Sequence, residues 1–261
     1  MWEYPIIDPV AVAIGPVKVH WYGLTYLAGL GLAWWLMLVR SRDDSTWTSE
    51  QIADLIFYAT LGIVVGGRLG YMLFYGFSDL IENPLALFKI WTGGMSFHGG
   101  LLGVIAALFL FARKQGKHPM DVTDFVCPVV PIGLGLGRIG NFINTELPGR
   151  ETDVPWALIY PGEAVARHPS SLYQALLEGP VLLGLLWWYS SSPRATMATS
   201  GMFLTGYGSL RLFSELFRSP DPHLMFIAFG LLTMGQLLSL PMILLGVAFL
   251  WHARRIERPA T

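Results

Sequence analysis

Seven stretches of this 261-residue chain reach the roughly 20 apolar residues that a helix needs to cross a bilayer. They lie near residues 18–39, 52–75, 96–113, 121–144, 170–190, 200–218 and 229–252. In hydrocarbon every backbone N–H and C=O must be satisfied inside the protein, so segments of this length fold as α-helices. The expected fold class is therefore all-α: a polytopic membrane protein with seven transmembrane helices, forming one integral membrane domain over residues 1–261. Only 13% of residues are charged, against about 25% in a soluble domain, and mean hydropathy is +0.50. The net charge of −1 provides no basic field for nucleic acid.

Orientation follows from the lysines and arginines. With the N-terminus outside, Arg40, Arg42, Arg113, Lys114, Lys117, Arg194, Arg254, Arg255 and Arg258 fall on the cytoplasmic side. The outer loops then hold Lys18, Lys89, Arg150, Arg167 and Arg218, and seven spans leave the C-terminus in the cytoplasm. The N-terminus lacks the basic stretch and cleavage site of a signal peptide, so the first span is expected to remain as a signal anchor. Cys127 is the only cysteine, which excludes a disulfide framework, and its apolar neighbours suggest an inert buried thiol.

Polar residues inside such spans are costly and need a reason. The run Gly137 to Gly149 ends the fourth span with Arg138, Asn141, Asn144 and Glu146. On a helix, Arg138, Asn141 and Thr145 share a stripe with Glu146 beside it. A guanidinium matches a phosphate bidentately and amides can fix hydroxyls, so an anionic ligand is expected there. A structural Arg–Glu pair is the alternative. Tyr207, Arg211 and Glu215 recur every four residues, with Arg218 close by, and two arginines around one phosphodiester would stabilise it as a leaving group. Arg211 and Glu215 could equally satisfy each other.

His98 sits in a glycine-flanked turn, Gly93 to Gly100, that opens the third span. Histidine suits the role of base toward a thiol or hydroxyl near neutral pH. Gly62, Gly66 and Gly70 read as a helix-packing face. Arg68 lies off that face, as a third phosphate contact or a snorkelling side chain. His20-Trp21-Tyr22-Gly23 has the composition of an interfacial aromatic anchor, and Arg167-His168-Pro169-Ser170 leads into the fifth helix. With the N-terminus outside, His20, Tyr22, Arg68, His98, Arg138, Asn141, Glu146, His168, Arg211, Glu215 and Arg218 are expected near the outer face.

These blocks together resemble the bacterial phosphatidylglycerol–prolipoprotein diacylglyceryl transferase family. Its signature G-R-x-G-N-F-I-N-x-E-x-x-G fits Gly137 to Gly149 at every fixed position. The segments His20–Gly23, Gly66–Tyr71, Gly93–Gly100, Arg167–Tyr173, Gly206–Gly208 with Arg211 and Glu215, and Met234–Gln236 are similar to its other blocks, in its order. Pro148 stands where many members have tryptophan, and the loop before Arg167 is shorter than in some.

The resemblance implies transfer of a diacylglyceryl group from phosphatidylglycerol to the lipobox cysteine of a prolipoprotein, at the periplasmic side of the bacterial inner membrane. The partners it implies are phosphatidylglycerol, prolipoprotein lipobox peptides and membrane lipid, with no metal or organic cofactor. Joined with the residue readings above, it leads us to expect catalysis by His98, Arg138 and Arg211. Substrate binding falls to Tyr22, Arg68, Asn141, Asn144, Glu146, Gly149, Tyr207 and Glu215.

Two other classes remain open to the sequence. A transporter would show inverted repeats and midplane polar residues. No repeat is present, and the polar residues gather toward one side. An intramembrane serine protease needs a serine paired with a histidine, and no span carries a G-x-S-x-G elbow around Ser96 or elsewhere. A passive membrane scaffold would not need polar residues converging from six spans.

Overall fold

The computed structural model describes residues 2–15, 17–44, 46–220 and 233–257. Its elements run β1 (Trp2–Glu3), β2 (Val10–Ile14), β3 (Val17–His20), α1 (Trp21–Arg40), α2 (Ser49–Phe74), α3 (Phe77–Glu82), α4 (Phe97–Gln115), α5 (Pro119–Val126) and α6 (Val130–Ile143). Beyond them come β4 (Leu158–Ile159), β5 (Ala166–Arg167), α7 (Ser170–Leu176), α8 (Leu182–Tyr189), α9 (Ala198–Ser214) and α10 (Met234–Glu257).

Five runs are long and apolar enough to cross a membrane: Trp21–Arg40, Ser49–Phe74, Phe97–Gln115, Pro119–Ile143 and Met234–Ile256. The expected segments 170–190 and 200–218 are helical but do not form uninterrupted spans of that length. The first is broken by a wide turn at Leu177–Val181, where Gly179 leaves helical geometry and Pro180 has no N–H to give the preceding turn. The second is α9, which ends at Ser214. The first helix starts at Trp21, three residues later than expected, because residues 18–20 pair with β2 in an antiparallel hairpin. Of the seventh expected segment, 229–232 lies outside the described residues, and the helix there runs on to Glu257.

The chain divides into two compact units, Leu36–Thr123 and Met1–Trp35 with Asp124–Thr261. Within Leu36–Thr123, α2 and α4 pack through glycines. A Cβ placed on Gly62 or Gly66 would strike the Gly103 backbone, and one on Gly70 would strike Gly99. That is the packing face expected from the four-residue spacing. The helices are well terminated: Thr48 and Gln51 form a reciprocal capping box on α2, Ser96 caps α4, and Gly116 closes α4 in the left-handed conformation.

Within the other unit, α6 packs against α7 and the wide turn, with Gly135 against Gly179. Helix α9 packs on α10 through Gly201 and Gly246. Outside the helices, β1 pairs parallel with β4, which pairs antiparallel with β5. Tyr4 stacks on Tyr160, centroids 5.1 Å apart, and donates its hydroxyl to the Phe142 carbonyl near the end of α6. Burial pushes the Tyr160 phenol up to about 12. Cys127 is buried, with its sulfur 3.8 Å from the Ser200 hydroxyl.

Candidate active site

Three helical segments of one unit bring ionised side chains together. Arg138 comes from α6, Glu178 from the turn between α7 and α8, and Arg211 from α9. Arg138 Nε lies 2.9 Å from Glu178 Oε2, and Arg211 Nη1 lies 3.5 Å from Glu178 Oε1. The chain of charges continues along α9: Arg211 Nη2 meets Glu215 Oε1 at 2.5 Å, and Arg218 Nη1 meets the same oxygen at 3.1 Å. Both glutamates are wholly buried, whereas Arg138 keeps 19% and Arg211 13% of its side chain exposed. The Tyr207 hydroxyl lies near the Arg138 guanidinium.

Sequence reasoning missed Glu178. An intramembrane carboxylate between Leu177 and Gly179 is a signal in itself, because it cannot remain ionised without cationic partners. The α9 ridge expected at Tyr207, Arg211 and Glu215 is present, but Glu215 is fully employed. Its second oxygen accepts from the Thr233 hydroxyl at 2.9 Å.

Helix α6 ends at Ile143, so Thr145 does not continue the Arg138 stripe. Asn141 and Asn144 each donate to one oxygen of the exposed Glu146, at 2.6 and 3.1 Å. Thr145 and Leu147 both adopt positive φ, 57° and 59°, a strained conformation for side chains of these types. The strain is held from α7, where Ser170 donates its hydroxyl to the Leu147 carbonyl at 2.6 Å. Gly149 is buried between His168 and Phe217, whose backbone atoms a Cβ would strike, so it serves chain packing. Tyr22 lays its ring on Gly140, and its hydroxyl is 3.2 Å from that of Tyr26.

In the unit Leu36–Thr123, His98 is the second residue of α4, exposed, and makes no side-chain hydrogen bond among the described residues. Arg68 is buried and gives Nε and both Nη groups to the carbonyls of Ala86, Leu87, Gly93 and Gly94. The guanidinium thus closes the 84–94 loop on the stem that leads to His98. Neither snorkelling nor a phosphate contact describes it, because its donors are already spent on backbone.

His168 is positioned by its neighbours. Trp156 Nε1 donates to the Tyr173 hydroxyl at 2.6 Å, and that hydroxyl lies 3.1 Å from His168 Nδ1. Desolvation lowers the imidazole pKa from its ordinary value.

Five membrane-length apolar helices, and a buried chain of arginines and glutamates within one unit, define a multi-span membrane protein with ionised groups in its interior. The chain belongs to the prolipoprotein diacylglyceryl transferase family, which it matches over residues 9–252. It is 58% identical over 257 residues to the phosphatidylglycerol–prolipoprotein diacylglyceryl transferase of Coxiella burnetii, covering 98% of both chains. The enzymes of the same name from Legionella pneumophila and Ectopseudomonas mendocina are 56% and 54% identical. Those alignments cover 98% and 97% of this chain, and 100% and 96% of the relatives.

Proposed function

We propose that this transferase moves the diacylglyceryl group of phosphatidylglycerol to the lipobox cysteine thiol of prolipoproteins, forming a thioether and releasing glycerol phosphate. The names of relatives that match nearly end to end support the reaction. One observation supports the site: Arg138 and Arg211 share the single carboxylate of Glu178, and Arg138 uses only Nε to reach it. Arg138 keeps 19% of its side chain exposed, and in this reading the part of its guanidinium not turned to Glu178 meets a phosphodiester.

In this reading the phosphate sits on Arg138 and Arg211, while Asn141, Asn144, Glu146 and Tyr22 order the headgroup. His98 takes the proton of the incoming thiol, since the thiolate is the nucleophile. The thiolate attacks the glyceryl carbon bound to phosphate. The carbon–oxygen bond breaks, its electron pair leaves with glycerol phosphate, and the arginines stabilise that charge. Gly149 contributes by packing the loop, and Glu215 by holding Arg211.

The proposal extends to topology. All of residues 1–261 serve one integral membrane transferase in the bacterial inner membrane, with α7–α8 and α9 completing seven spans. The N-terminus and active site face the periplasm and the C-terminus faces the cytoplasm, in keeping with the lysine and arginine bias.

The test is to incubate purified protein with phosphatidylglycerol and a lipobox peptide, and to look for the diacylglyceryl thioether by mass spectrometry. A mass gain that disappears with Arg138→Ala establishes reaction and site together. A folded wild-type protein that yields no product overturns the reading.

A further inference from the structure

Helix α7 and the wide turn that follows it bury a polar stripe. Ser170, Ser171, Gln174 and Glu178 are all at 0% exposure. Two of the four have clear partners: Ser170 holds the Leu147 carbonyl, and Glu178 holds Arg138 and Arg211. Gln174 lies between them in sequence, one turn before Glu178. Among the described residues, neither its Oε1 nor its Nε2 has a hydrogen-bond partner. Leaving both ends of a buried amide unpaired costs free energy that an apolar side chain of similar volume would avoid. A group kept at such a cost next to a reactive cluster is matched to something that arrives with the substrate.

A carboxamide has donors at one end and an acceptor at the other. A phosphate could use only the donors and a cationic headgroup only the acceptor. Hydroxyl groups use both, because each donates and accepts. Gln174 stands about one helical turn, roughly 5 Å, from Glu178, whose carboxylate marks where the arginines grip. If the phosphodiester lies on those arginines, the next polar atoms along the lipid are the hydroxyls of its headgroup alcohol.

We propose that the Gln174 carboxamide binds the headgroup glycerol hydroxyls of the lipid donor and thereby sets headgroup selectivity. This rests on the phosphatidylglycerol reading above. Gln174 is a specificity determinant that leaves the chemical step to others, and its removal weakens binding without abolishing turnover.

The experiment compares two donors with the full-length protein and a lipobox peptide: phosphatidylglycerol, and phosphatidylpropanol, which keeps the phosphodiester but has no headgroup hydroxyl. Wild-type protein is expected to favour phosphatidylglycerol at least about tenfold in kcat/KM. Gln174→Leu should lose about tenfold on phosphatidylglycerol, mainly through KM, and nothing on phosphatidylpropanol. Its thermal midpoint should be unchanged or higher, since an unsatisfied amide has been removed. If the Gln174→Leu variant does not fold, Gln174→Met provides the same comparison. An unchanged preference in the variant, or an equal loss on both donors, overturns the inference. Wild-type protein that uses both donors equally also overturns it, whereas wild-type protein that uses neither overturns the transferase reading itself.

Discussion

Arg138 and Glu178 are 40 residues apart in sequence and 2.9 Å apart in space, joined through the guanidinium Nε and a wholly buried carboxylate oxygen. The pair fixes α6 against the turn between α7 and α8. Arg211 takes the other oxygen, so a single carboxylate holds two cations from two helices. Removing such a group strands buried positive charge, so the fold depends on it.

Glu178→Gln is therefore expected to destabilise the protein by about 3–5 kcal/mol, the cost of breaking a buried ion pair from one side. The thermal midpoint in detergent should fall clearly, and activity with it. A variant with wild-type stability would show that the arginines have other counter-charges.

Arg138→Lys separates binding geometry from charge. A lysine keeps the cation but offers no planar fork, so transferase activity is expected to fall about 100-fold or more, as when one oxyanion donor is removed. The residual contact to Glu178 should let the protein fold. Turnover measured alongside the thermal midpoint decides the matter, and full activity would make Arg138 merely structural.

Much of this architecture is legible in the sequence, and the misses share a cause. The spans containing α2, α4 and α10 follow from hydropathy, and the Gly62–Gly66–Gly70 face follows from spacing, because both are local periodicities. The Arg211–Glu215 pair is legible for the same reason, being i and i+4. Glu178 and Arg68 are not, since their partners lie at separations that no period encodes: Arg138 at 40 residues for one, loop carbonyls at 18–26 residues for the other. A sequence displays side chains but not which backbone carbonyls will need donors. The end of α6 at Ile143 was likewise hidden, because the following turn relies on Ser170 of α7 to hold Leu147.

Helix α4 should not tolerate growth at Gly103. A Cβ there would strike the backbone of Gly62 and Gly66, so neither helix can yield without losing the contact. Gly103→Ala is expected to cost about 1–3 kcal/mol, as overpacking usually does. Gly31→Ala in α1 is the control, since nothing lies within reach of its Cβ. Thermal midpoints of the two variants should differ, with Gly31→Ala at or above wild type.

Arg68 makes a local prediction. Arg68→Lys should keep the α2–α4 pair intact but loosen residues 84–94, whose carbonyls it holds. Losing one charge-assisted hydrogen bond is worth about 1.5–3 kcal/mol, enough to speed amide exchange in that loop tenfold or more. Hydrogen–deuterium exchange confined to this loop would confirm the assignment, and uniform exchange would contradict it. Activity should also fall, because the loop leads directly to His98.

The last prediction concerns acid. The Tyr173 hydroxyl accepts from Trp156, so its own proton is available for His168 Nδ1, which must be unprotonated to accept it. Desolvation lowers the folded-state pKa in the same direction. The unfolded chain, with histidine at about 6.5, therefore binds a proton before the folded one does. Stability is unaffected by His168 well above that value, and declines as pH drops through 6.5 toward the lowered folded value. Thermal midpoints measured from pH 8 to pH 5 should fall more steeply for wild type than for His168→Phe, which keeps the ring contacts with Tyr173 and Phe217 but cannot titrate. Parallel curves would show that protonation of His168 is not felt by the fold.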